Sequence, residues 1–173
     1  MTTRAPRMIV LCVLAAGFGS WPVAAGQIGG EANAFNGYTL ETPLAEYPAL
    51  KPLETWHGDF VNDIGVYENP GETLTLNDVP IQKIRYRFAD GLLESIQLSY
   101  QGRDNRDKLL HWLEEQYGKV PAPERRMTRM VLWYGRQMTI SLIYDTYSKS
   151  GWVWFASPTL FNQVNRNRND MPD

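Results

Sequence analysis

Cysteine is nearly absent from this chain: there is one in 173 residues, Cys12, and it lies inside the first apolar stretch. Histidine is almost as scarce, with only His57 and His111. His57-Gly58-Asp59 brings one histidine to one carboxylate, which makes neither a metal site nor a triad, and His111 reads as an exposed helix residue. Positive charge is not in excess either. Lys and Arg number 17 against 19 Asp and Glu, a formal net charge of −2, which argues against a general nucleic-acid binder. No G-x-S-x-G elbow surrounds a serine, and no glycine run resembles a phosphate cradle. Glu114 and Glu115 are neighbours on an expected helix and point in different directions. Asp63, Glu68, Glu72 and Asp78 have no spacing that demands acid–base work. These absences argue against an enzyme, and they imply no cofactor and no metal.

Long hydrophobic runs are also missing. The chain opens MTTRAPRMIVLCVLAAGFGSWPVAAGQ, with Arg4 and Arg7 as a basic start, Met8–Ala16 as a short apolar core and Val23-Ala24-Ala25 as a small-residue cleavage site. Gly17, Gly19, Ser20 and Pro22 interrupt the run well before spanning length, so a removed export signal is expected and no stable membrane span thereafter. Leu11 before Cys12 is a poor lipoprotein context. The expected organisation is a signal peptide at 1–25, a flexible leader at 26–36, one domain at 37–158 and a disordered polar tail at 159–173. The exported chain would lack cysteine altogether, which excludes disulfides, thiolate nucleophiles and thiolate metal sites. It would also lose two arginines and no acid, taking the formal charge from −2 to −4. The periplasm is the expected compartment, with release to the exterior as the other destination.

What is present centres on Ile81–Val120. Ile84, Tyr86 and Phe88 alternate with Lys83, Arg85 and Arg87, and Ile96, Leu98 and Tyr100 alternate with Ser95, Gln97, Ser99 and Gln101, the pattern of half-buried strands. A two-residue Asp90-Gly91 turn places Arg85 opposite Ile96 and mixes the two faces. A three-residue loop ending at Gly91 keeps them apart, pairing Ile84 with Ile96 and Arg85 with Ser95, so that loop is expected. A helix follows, capped by Asp104 or Asn105 and stopped at Gly118, with Leu109, Leu110, Leu113 and Tyr117 on one stripe and Arg106, Lys108, Glu114 and Glu115 largely away from it.

Around this unit the signals are weaker. A short strand is expected near Tyr38–Leu40, then a short helix with Thr42 as cap and Pro43 as its first residue. Strands are expected at Phe60–Tyr67 and Thr73–Leu76, in a second hairpin of Thr128–Tyr134 and Met138–Tyr144, and at Trp152–Ala156. The fold class is therefore α+β: an antiparallel β-sheet with one long helix packed on one face and a short N-terminal helix.

Several of these segments form a recognisable set. F-x-G-x-x-x-x-T-P-L-x-E-x-P-x-L at Phe35–Leu50, Val66-Tyr67, Y-x-F-x-D-G-x-L at Tyr86–Leu93, Asn105, L-x-x-x-Y-G at Leu113–Gly118 and the Trp133–Gly135 hairpin together resemble a recurring group of small exported bacterial proteins without an assigned activity. That group often carries W-G-T-P where this chain has Leu40-Glu41-Thr42-Pro43. The Y-x-F-x-D-G hairpin is also similar to that of small periplasmic lipoproteins of outer-membrane assembly. Both resemblances imply an exported accessory protein, and neither supplies a catalytic residue.

The candidate binding residues lie on the polar side of the hairpin. Lys83, Arg85 and Arg87 stand in a row beside Gln97 and Ser99, and arginine suits bidentate contact with carboxylates. Trp152 and Trp154 share one side of the last strand, with Val153 and Phe155 on the other. If the helix covers only one face, one aromatic pair stands beside the basic row. The expected function is a non-enzymatic protein that binds an envelope protein, or an anionic glycan or peptide, through its sheet. The alternatives are a small-ligand or glycan binder that stacks its ligand on the tryptophans and, more remotely, a hydrolase with an unrecognised carboxylate site.

Overall fold

The computed structural model describes residues 23–28, 32–56, 63–121 and 129–169. Its strands are β1 (Val23–Gln27), β2 (Ala34–Phe35), β3 (Tyr38–Thr39), β4 (Lys51–Trp56), β5 (Ile64–Glu68), β6 (Thr75–Leu76), β7 (Val79–Ala89), β8 (Leu92–Gln101), β9 (Met130–Tyr134), β10 (Thr139–Asp145) and β11 (Ser150–Ala156). Helix α1 (Arg103–Tyr117) joins β8 to β9, and α2 (Pro158–Asn169) follows β11. The main sheet runs β1-β9-β10-β11-β8-β7-β5-β4, with β6 added to β7 and β2–β3 forming a separate ribbon. Every pairing is antiparallel except β1 with β9.

Alternation along the strands builds the core. Two rungs cross the sheet on one face, Val131–Leu142–Val153–Leu98–Ile84 and Trp133–Ile140–Phe155–Ile96–Tyr86–Tyr67. They form a continuous core with Leu109, Leu110 and Leu113 of α1. Segment 32–50 joins the same core: Phe35 stacks on Phe155 at 4.2 Å and Tyr38 lies 4.2 Å from the Tyr86 ring. Trp133 Nε1 donates to the Gly118 carbonyl at 2.8 Å, tying the helix end to β9. This is the expected α+β class, a largely antiparallel sheet carrying a 15-residue helix.

Several expectations are corrected. The short N-terminal helix is absent; its place holds a single 3-10 turn, Leu44–Glu46. The Thr42 carbonyl, which an α-helix capped there would offer to the Glu46 amide, accepts the Leu93 amide of the main hairpin instead, and the Glu46 amide bonds the Pro43 carbonyl. Glu41 N donates to Leu93 O, Leu44 N donates to Gly91 O, and Pro43 bridges Leu92. The tail expected to be disordered forms α2 over Pro158–Asn169. Ser157 Oγ accepts the Leu160 amide at 3.1 Å, an N-cap followed by proline at the first helical position. In α1, Gly102 rather than Asp104 or Asn105 precedes the first turn, and Arg106 is buried on the leucine stripe with Nη1 2.8 Å from Asp107 Oδ1. Strand β4 was not anticipated.

At the amino end, β1 and the Ala34–Phe35 strand occupy parts of the expected signal and leader. The expected cleavage after Ala25 falls inside β1, while residues 1–22 lie outside the described residues, as do Phe60–Asn62 of one expected strand and Thr128 of another.

The main hairpin departs from expectation in a way that shapes the site. Its turn is the two-residue Asp90-Gly91, with φ of 49° and 77°, and Phe88 pairs with Leu93 and Ala89 with Leu92. Both positive φ values suit a tight hairpin turn whose twist matches the strands. A bulge follows immediately. Arg87 pairs with Ser95, so Glu94 is the extra residue of β8, and Ile84 ends opposite Leu98 rather than Ile96. The bulge restores the parity that the two-residue turn disturbs, and the two faces remain apolar and polar as the alternation requires.

Candidate binding face

The face opposite α1 is organised as rungs. Trp152 pairs with Ser99 and Ser99 with Lys83; one step along, Trp154 pairs with Gln97 and Gln97 with Arg85. Six of the seven sequence-derived candidates thus meet in two adjacent rungs, and the seventh, Arg87, opposes Ser95 in the next. Lys83 and Arg85 are exposed, whereas Trp152, Trp154, Gln97 and Ser99 are half-buried. The other side of β11, Val153 and Phe155, is fully buried in the core, Phe155 beneath Phe35. The β11–β8–β7 register puts Trp152 and Trp154, not Val153 and Phe155, beside the basic row.

The basic row itself divides. Arg87 Nη1 lies 3.5 Å from Glu94 Oε1, so its charge is met from within the sheet. Among the described residues, Lys83 and Arg85 have no ion-pair partner. The remaining aromatics of the C-terminal half have other tasks. Trp133 is fully buried, Tyr144 packs on the core, and Tyr147 sits 89 % exposed at the β10–β11 turn.

Glu94 was invisible to sequence reasoning because it follows a hydrophobic pair in a strand and has no partner at a telling spacing. The bulge turns it inward. Its side chain has 0 % exposure, Oε2 accepts the Ser95 hydroxyl at 2.7 Å, and Oε1 has no hydrogen-bond donor, only the Arg87 charge. Burial holds this carboxyl above the ordinary glutamate range, while Arg87 and the Ser95 hydrogen bond draw it partly back. The Glu94 carbonyl accepts the Ser157 amide at 2.8 Å. Ser157 Oγ in turn donates to Glu41 Oε1 at 2.6 Å while capping α2. The hydroxyl of Ser157 is therefore fully employed in structure, and this carboxylate–serine cluster joins three segments where β8, α2 and the 41–44 segment converge.

Other titratable groups lie away from the rungs. Tyr86 Oη is 2.6 Å from both Glu72 oxygens, and burial together with that carboxylate pushes the phenol far up. Asp145 is held below the usual carboxylate range by the Tyr147 amide, with Ser148 and Arg129 adding to the effect. His111 is exposed and lies 3.0 Å from Glu115, one helical turn away. His57 lies outside the described residues. Among the described residues there is no group of three His, Cys, Asp or Glu side chains that could hold a metal, and no helix long and apolar enough to cross a membrane.

No protein family model, curated protein or solved structure matches this chain.

Proposed function

We propose that this is an exported, non-enzymatic binding protein that engages an envelope component through the sheet face opposite α1. One observation carries the reading: two half-buried tryptophans and two cations without ion-pair partners among the described residues share adjacent rungs, with Gln97 and Ser99 between them. Tryptophan and arginine are the residue types over-represented where binding energy concentrates. A cation with no counter-charge of its own is also available to a partner's anion without first breaking an internal pair.

Photo-cross-linking in intact cells tests this. The probe replaces Gln97, and a control probe replaces Glu115 on the outer side of α1. An adduct from Gln97 alone is expected, as a discrete band with a protein or a smear with a polymer. Equal labelling from both positions, or none from Gln97 in a folded and expressed variant, overturns the reading.

A further inference from the structure

We propose that the ligand of this face is an anionic polysaccharide strand, stacked on Trp152 and Trp154 with its carboxylates held by Lys83 and Arg85; this rests on the face being the binding surface. Strands β11, β8 and β7 are all internal to the sheet, so their backbone amides and carbonyls are spent on neighbours. A peptide bound by strand addition needs a free edge. Laid on this face, a peptide would turn its own amides towards side chains with few groups to satisfy them, at the cost of unpaired polar groups. A pyranose strand makes no such demand. It presents C–H faces to an indole, hydroxyls to an amide or hydroxyl side chain, and, in a uronate, carboxylates to cations.

The face supplies these partners in that order across the sheet. Indoles stand on β11, Gln97 and Ser99 on β8, and Lys83 and Arg85 on β7. Successive same-face residues are separated by about 6.8 Å along a strand, and neighbouring strands by about 4.8 Å. The six residues therefore span about 7 Å by about 10 Å between backbone positions, and the same face continues beside the tryptophans through Ser141 and Ile143 of β10. The charge is complementary as well: the whole protein is mildly acidic at −2, yet Lys83 and Arg85 have no ion-pair partner among the described residues. Lys51 and Glu68, opposed on the outer strands, add no net charge beside them.

The experiment is a calorimetric titration of the purified full chain with a defined oligogalacturonate, with a malto-oligosaccharide of equal length as the uncharged control and tryptophan emission as a second readout. Saturable binding of the uronate alone is expected, weakening as salt is raised. Trp152→Ala and Trp154→Ala should each weaken it about tenfold or more, as removal of a binding anchor does. Arg85→Gln and Lys83→Gln, at exposed positions that leave the core untouched, should weaken it and flatten its salt dependence. No binding of oligogalacturonate, equal binding of the neutral sugar, or binding indifferent to all four substitutions overturns the proposal. A discrete protein adduct from the Gln97 probe alongside no uronate binding removes the polysaccharide and leaves the face as a binding surface. Failure of both experiments removes both.

Discussion

Replacing Glu94 by glutamine should stabilise the protein at neutral and alkaline pH. The substitution keeps the shape of a side chain that is wholly enclosed and removes its charge. In the wild type the enclosed carboxyl carries its charge with no hydrogen-bond donor on Oε1; glutamine still places a polar atom there, so what the substitution relieves is the desolvation of the charge. Arg87 does not repay this in full, because it stands 3.5 Å away with 32 % of its side chain exposed, so solvent screens the pair. The pH dependence has a definite sign. The folded-state carboxyl titrates above its ordinary value of 4.5, so the folded protein holds the proton more tightly than the unfolded chain. Wild-type stability therefore rises as pH falls from the folded-state value towards 4.5, by ~1.4 kcal/mol for each tenfold difference in proton affinity. The variant cannot take up that proton. In urea denaturation followed by tryptophan emission, Glu94→Gln should show a higher midpoint than the wild type near pH ~8, where the wild type carries a buried charge. The advantage should shrink towards pH ~5 as the wild type takes up its proton. A variant less stable than wild type near pH ~8 would show that Arg87 holds Glu94 as a favourable ion, and would refute the reasoning.

Gly151→Ala should be among the most damaging single changes in the sheet. A Cβ there meets the Ile143 carbonyl and the Tyr100 ring that crosses over the glycine to donate its hydroxyl to that carbonyl at 2.8 Å. Overpacking plus the lost hydrogen bond amounts to about 2–4 kcal/mol, read as a lowered denaturation midpoint with unchanged slope. Phe155→Ala removes a fully buried ring stacked at 4.2 Å on Phe35 and should cost about 3–5 kcal/mol in the same assay. Ser157→Ala removes the α2 cap and the partner of Glu41, and should cost about 1–2 kcal/mol. Amide exchange should accelerate first over residues 158–165; protection unchanged there would show that the cap does not hold the helix.

The strand faces, the presence of the long helix and its stop at Gly118 were determined by local chemistry, and so they were legible. Period-2 alternation sorts Ile84, Tyr86 and Phe88 from Lys83, Arg85 and Arg87 whichever register is adopted, because parity alone decides which face a side chain takes. The same parity placed Trp152 and Trp154 opposite Val153 and Phe155. Helix α2 was also partly written in the chain, as Ser157-Pro158 and the Leu160/Val164 pair one turn apart, but the polar composition around them hid it. Register and cover were decided only by the tertiary structure. The bulge at Glu94 depends on fitting a two-residue turn to a sheet whose far strands are already paired, and no short-range pattern announces it. The segment around Pro43 becomes a turn rather than a helix because Leu93, distant in sequence, takes the Thr42 carbonyl that the first helical hydrogen bond would use. That the candidate residues form two rungs follows from β11 pairing with β8, a contact spanning the whole of α1, β9 and β10. The faces of each strand are local facts, whereas the neighbours of each face depend on which strands meet, and only the folded sheet decides that.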